Sequence, residues 1–141
     1  MEIKLSDIWT VAGVLIALQI SAFAWRVSRE ITVSESGDVN WLPLADIMNL
    51  CAMVVAFLGV FVLPLAGIRN SIIPRLALGL AIILFAGYPF ALAGHYDLYT
   101  RGPRSYKFAT KQEIISILVT IVAAIMFLIF SLANSRTISD H

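Results

Sequence analysis

Residues 41–67 read WLPLADIMNLCAMVVAFLGVFVLPLAG, an apolar stretch long enough to cross a membrane as a single helix. Two polar side chains, Asp46 and Asn49, lie in its first half. An ionisable group inside a membrane-length segment is energetically costly, so it usually marks a site that the protein uses. This stretch therefore predicts a membrane fold and is also the first place to look for function.

The composition of the whole chain agrees with a membrane protein. Of its 141 residues, 60% are hydrophobic and 13% are charged. Soluble domains have roughly 25% charged residues, and a small globule has too much surface to cover with so few charges. The formal net charge of +1 creates no field that would attract nucleic acid, and we expect no such partner.

Four segments are apolar over the length of about 20 residues that a membrane-spanning helix needs. We place them at about residues 8–25, 42–67, 74–94 and 111–134. The predicted fold is an all-α bundle of four transmembrane helices, a single membrane domain over residues 1–141 with short loops and the lipid bilayer as its surroundings. Glu2 and Asp7 are acidic, whereas a signal peptide begins with a positively charged n-region. We therefore expect the first segment to be a retained span.

Small residues recur at helical spacing in every predicted span, a pattern that lets another helix approach closely. The rows are Gly13, Ala17 and Ser21; Ala52 and Ala56; Gly79, Gly87 and Ala91; and Ser116, Thr120 and Ala124. Four short helices cannot easily bury four such rows against one another. We therefore expect a homo-oligomer or a subunit of a larger membrane complex.

Local signals predict details of the connections. Apolar and polar residues alternate from Ile31 to Trp41 around Ser36-Gly37-Asp38, which is typical of a small β-hairpin. Gly67 is predicted to cap the second helix and Pro89 to kink the third. Thr110 and Glu113 have the spacing of a capping box, in which each side chain satisfies the other's backbone N–H.

Four spans place both termini on one side of the membrane and loops one and three on the other. Six basic residues lie on the loop side and four on the terminus side, which favours cytoplasmic loops in a plasma (inner) membrane, with both termini opposite. The two sets are Arg26, Arg29, Arg101, Arg104, Lys107 and Lys111, against Lys4, Arg69, Arg75 and Arg136.

The candidate polar site inside the membrane consists of Asp46, Asn49 and Gln19. Asp46 and Asn49 share one helix face, and Gln19 is the strongly polar residue of the first span. The preferred interpretation is structural, because Asp46 lies only about 7 Å along the helix from the interface. At that depth it can pair with Arg26, Arg29 or a base of loop three, while Asn49 joins two helices. The alternative is a small ion channel or transporter with its path along these three residues.

Loop three, residues 95–109, is basic and rich in tyrosine, and we interpret it as a docking surface for a soluble protein or for anionic lipid headgroups. An ordinary positive-inside loop with interfacial tyrosines has the same composition. His95, close to Asp97, is expected to be a cap or interface residue. The candidate docking residues are Arg101, Arg104, Lys107, Lys111, Tyr99 and Tyr106.

No nucleophile with a matching base, no metal-ligand spacing and no phosphate-binding glycine loop is recognisable. We therefore predict no catalytic, metal or cofactor site. Cys51 is the one cysteine and is expected to be a small packing residue. The preferred hypothesis is a non-enzymatic membrane subunit that oligomerises or docks a partner through residues 95–109. The alternatives are the channel or transporter and a membrane-perturbing effector of toxin or defence type.

Overall fold

The computed structural model describes residues 4–34, 42–68, 70–99 and 109–139, and within these ranges the chain is helical. Helix α1 is Leu5–Ser34, α2 is Leu44–Leu65, α3 is Ile72–His95 and α4 is Lys111–Ser139. All four are long and apolar enough to cross a membrane. The predicted all-α architecture with four membrane-length helices is confirmed.

The membrane-length segments match the predicted spans except at the end of the first. They are Leu5–Thr32, Leu44–Leu65, Ile72–His95 and Lys111–Asn134. The prediction ended the first span before Arg26 because a charged residue normally leaves the apolar region. Helix α1 instead continues to Ser34. Arg26 and Glu30, at 3% and 6% exposure, are buried and paired inside the bundle.

The predicted β-hairpin in loop one is not supported. Ile31 and Val33, which would form its first strand, belong to helix α1, and the described part of the chain contains no strand. The i, i+4 pair of Arg26 and Glu30 favours the helix over the strand. The predicted turn at residues 36–38 and the second strand lie outside the described residues.

Helix α3 is central and packs against α2 on one side and α4 on another. Glycines bring α4 close: a Cβ added at Gly87 would lie 2.1 Å from Thr120 Oγ1, and one at Gly94 would lie 2.7 Å from the backbone of Gln112 and Glu113. Such close backbone approach is how helices associate in a membrane, where lipid is as apolar as the side chains. The small-residue rows of these two helices therefore face each other.

The small-residue row of α1 lies on the outside of the bundle. Gly13, Ala17 and Ser21 are exposed, and a Cβ added at Gly13 meets nothing within 4 Å. Among the described residues, this row therefore faces away from the packing between the helices. Helix α1 packs inward through a different face, formed by Ile8, Ala12, Leu15, Gln19 and Arg26.

The ends and bends of the helices follow identifiable backbone features. The predicted cap at Gly67 is confirmed: its φ is +86°, its N–H donates to Pro64 O, and the Ile68 N–H donates to Leu63 O, which is the Schellman pattern. A π-helical turn, Phe57–Val62, precedes Pro64. Helix α3 runs through Pro89 without interruption. Cys51 is exposed on α2, so its predicted packing role is wrong.

The tight contact between α3 and α4 predicts unequal effects of alanine at two helical glycines. Gly87→Ala should lower the free energy of unfolding by about 1–3 kcal/mol, because the added methyl group clashes with Thr120. Gly13→Ala, the control, should leave the stability of the monomer unchanged or raise it by up to about 1 kcal/mol, since the surroundings of Gly13 within the chain are open. Reversible unfolding in mild detergent measures both changes, and equal effects would contradict the packing described.

Candidate functional site

An ion pair between Arg26 and Asp46 lies at the centre of the buried polar residues. Arg26 Nη1 on α1 is 3.1 Å from Asp46 Oδ2 on α2, an ion-pair contact without the angles of a hydrogen bond. The Tyr88 hydroxyl on α3 donates to Asp46 Oδ1 at 3.1 Å. Asp46 is fully buried, and a buried carboxylate needs such partners to remain inside a low-dielectric bundle.

The pair continues outward to Glu30 and Tyr96. Arg26 Nη2 lies 3.8 Å from Glu30 Oε1, and the Tyr96 hydroxyl donates to the same oxygen at 2.5 Å. The Arg29 guanidinium lies 4.5 Å from the centre of the Tyr96 ring, within the range of a cation–π interaction. Burial, and then the hydrogen bond to Glu30, raise the pKa of Tyr96. Its hydroxyl therefore stays protonated and donates at neutral pH.

A second buried group joins α3, α4 and the start of α2. His95 Nδ1 lies 2.9 Å from Glu113 Oε2, and Glu113 Oε1 accepts the Ala45 N–H at 2.9 Å. The N-terminal N–H groups of a helix lack partners within the helix, and the positive end of its dipole favours an acidic side chain. The carboxylate of α4 thus caps α2.

This arrangement corrects one prediction about the loop-three end and confirms another. The Glu113 N–H does donate to Thr110 Oγ1 at 3.0 Å, so half of the capping box is present. The Glu113 side chain does not return the bond, because it is used by His95 and Ala45. The Thr110 hydroxyl also donates to Gly94 O at 2.6 Å. His95 lies at a helix interface, as predicted, and its ring contacts Glu113 on α4.

Asn49 and Gln19 form the deepest part of the polar cluster. The Asn49 side-chain amide donates to the backbone oxygen of Gln19 at 3.2 Å, which joins α1 to α2 as the structural interpretation predicted. Gln19 is fully buried and Asn49 is 1% exposed. Among the residues that the structure describes, no group hydrogen-bonds Gln19 Oε1, Gln19 Nε2 or Asn49 Oδ1.

The structure separates the two predicted sets of site residues. Asp46, Asn49 and Gln19 come together where α1 meets α2, whereas Tyr99 and Lys111 are exposed outside this cluster. The other predicted docking residues, Arg101, Arg104, Lys107 and Tyr106, lie outside the described residues.

Sequence reasoning missed Glu30, Tyr88, Tyr96 and Glu113 as members of the buried cluster. One available signal was helical spacing, because Gln19, Arg26 and Glu30 are separated by seven and four residues and so share a face. Tyr88 and His95 are also seven residues apart. Spacing identifies a common face but not the helix that covers it.

The cluster is suited to holding helices together by charge and hydrogen bonding. Within the described ranges, no group of three His, Cys, Asp or Glu side chains is placed to hold a metal ion. The fold and cluster together define a class, a four-helix membrane bundle with an internal ionic network. Comparison with protein-family models, curated proteins and solved structures finds no match to this chain.

The buried pair predicts non-additive effects on stability. Arg26→Met or Asp46→Leu alone should lower the free energy of unfolding by about 3–5 kcal/mol, because each leaves the other charge buried without its main partner. The variant with both substitutions should be more stable than either single one. Unfolding in mild detergent measures the cycle, and Lys111→Met, at an exposed position, is the control and should change stability by less than about 0.5 kcal/mol. Additive losses would contradict the pairing.

Proposed function

We propose that this chain is a non-enzymatic membrane subunit that assembles with copies of itself or with another membrane protein. The observation that supports the proposal is that the buried ionisable groups contact one another inside the bundle. Arg26, Asp46 and Glu30 are bound to one another or to tyrosines, so they stabilise the bundle from within. Interactions with other molecules would then use surfaces outside this cluster, among them the outer faces of α1 and α4.

Two outer faces support assembly. The exposed row of Gly13, Ala17 and Ser21 on α1 has the spacing that brings membrane helices into close contact. Helix α4 exposes large apolar side chains around most of its circumference, including Val119 at 65% and Phe130 at 61%. The α1 row consists of small residues and the α4 face is largely apolar, and both properties suit an interface between membrane helices.

We further propose that residues 95–109 present a docking surface for a soluble partner in the cytoplasm, with the protein in the plasma (inner) membrane. The start of this loop is fastened to two helices. The Tyr99 hydroxyl donates to Phe90 O at 2.7 Å, and the Tyr99 N–H donates to Gln112 Oε1 at 3.2 Å. A loop held firmly at its base loses less conformational entropy when it binds a partner.

A channel or transporter is the second candidate, favoured by the unsatisfied amide of Gln19 and by Asn49 Oδ1. The extent of the polar cluster argues against it. Glu30 and Gln19 are eleven residues apart, about 16 Å along α1, whereas the hydrocarbon core is about 30 Å thick. Beyond Gln19 the inward residues of α1 are Leu15, Ala12 and Ile8, which offer no polar path.

The outer row of α1 predicts a selective effect on assembly. Gly13→Leu with Ala17→Leu should shift the protein toward monomer, because bulky side chains keep a second helix from approaching. The fold should survive, since both positions are exposed. Crosslinking in mild detergent and single-molecule photobleaching in liposomes measure the oligomeric state. Val14→Leu with Leu18→Ile, also exposed on α1, is the control. Wild-type protein that is monomeric in both assays would refute self-assembly.

Docking and conduction can be separated by two sets of variants. Neutralising Arg101, Arg104 and Lys107 to glutamine should abolish binding of a soluble partner and leave ion flux in liposomes unchanged. Asp46→Asn should alter flux only if the polar cluster conducts. A flux that depends on Asp46 would favour the channel over the subunit. Leakage of a large dye from the same liposomes would instead favour the membrane-perturbing effector.

A further inference from the structure

A lateral groove opens between α1, α3 and α4 at the end of the bundle that carries the termini. Its volume is about 750 Å³, within the range of about 300–1,000 Å³ that small-molecule sites occupy. Val11 of α1 and Ile82 of α3 line its sides. The ring of Phe127 closes its inner part, where it touches α3 at Gly79: a Cβ added at Gly79 would lie 2.3 Å from Phe127 Cζ.

The lining changes from charged to apolar along the groove. Asp7 in the first turn of α1 and Arg75 in the first turn of α3 lie at the outer end, and both are exposed. Ser71 and Asn134 add polar groups there. Seven residues deeper along α3, about 10 Å, Ile82 marks the apolar part. A groove with a charged outer end and an apolar depth fits an amphiphile that enters from the bilayer.

We propose that this groove binds a phospholipid whose headgroup carries a phosphate and a primary amine. The Arg75 guanidinium donates to the phosphate oxygens, and the Asp7 carboxylate accepts from the ammonium group. An acyl chain lies along Val11 and Ile82 toward Phe127.

The two charges select among phospholipids. A quaternary choline headgroup has no N–H to donate to Asp7. A glycerol headgroup leaves the lipid with a net negative charge, which Asp7 repels. A helix of a second copy would bring an apolar surface to the groove, whereas Asp7 and Arg75 place charges of both signs at its outer end.

Native mass spectrometry of the full-length protein, released from nanodiscs that contain phosphatidylethanolamine, phosphatidylcholine and phosphatidylglycerol in equal amounts, tests the proposal. Phosphatidylethanolamine should be retained about tenfold more than either other lipid, the factor expected for one charge-assisted hydrogen bond. Asp7→Asn should remove this preference. Arg75→Gln should lower the retention of all three lipids by about the same factor. Equal retention of the three lipids by the wild-type protein would overturn the proposal.

A groove-filling variant tests the position of the bound lipid. Val11→Trp places an indole in the groove and should reduce phosphatidylethanolamine retention to the level of the other lipids. Val14→Trp is the matched control, because Val14 is also exposed on α1 but does not line the groove. Lys4→Gln controls for the loss of an exposed base near the same end. Unchanged lipid retention in Val11→Trp would overturn the proposal. So would a shift in oligomeric state without a change in lipid, which would assign the groove to a second copy.

Discussion

The structure depends on one constraint: a charge carried into a membrane-length bundle must meet a partner there. The Arg26–Asp46 contact of 3.1 Å satisfies it between α1 and α2. Tyr88 adds α3 to this group, and the contacts of Glu113 with His95 and Ala45 bring in α4. Each contact needs a particular rotation of its helix, so together they align all four helices at the loop end.

The two ends of the bundle are held by different forces. At the loop end, hydrogen bonds and ion pairs join the helices. Toward the terminus end, contacts come from small residues, such as Gly59 against Ala77, and from the Trp9 indole N–H, which donates to Val60 O at 3.0 Å. Apolar burial drives helices together only weakly in lipid, so α1, α3 and α4 leave a groove between them there. The polar side chains at the loop end are buried between the helices, while the groove at the terminus end is open.

Sequence reasoning succeeded where the signal was local. The existence and approximate limits of the four helices follow from hydropathy, and the cap at Gly67 follows from glycine chemistry. Arg26 was one of several partners predicted for Asp46. The sequence places Asp46 close to the interface, where several basic residues lie within reach, and does not choose among them. The predicted end of the first span at Arg26 was wrong, because the charge of Arg26 is paired inside the bundle. Its partner, Asp46, lies 20 residues further along the chain, where local sequence gives no sign of the contact.

The sequence by itself determined that the chain has four membrane-length helices, because hydropathy summed along a segment needs no knowledge of its neighbours. The tertiary structure alone decided which faces meet. The small-residue row of α1 lies outside the bundle, while those of α3 and α4 face each other. The Glu113 carboxylate contacts His95 and the Ala45 N–H instead of capping the N-terminus of its own helix. Those choices depend on contacts between residues 18 to 68 positions apart, where the free energy of a buried polar group is set by the partner it meets.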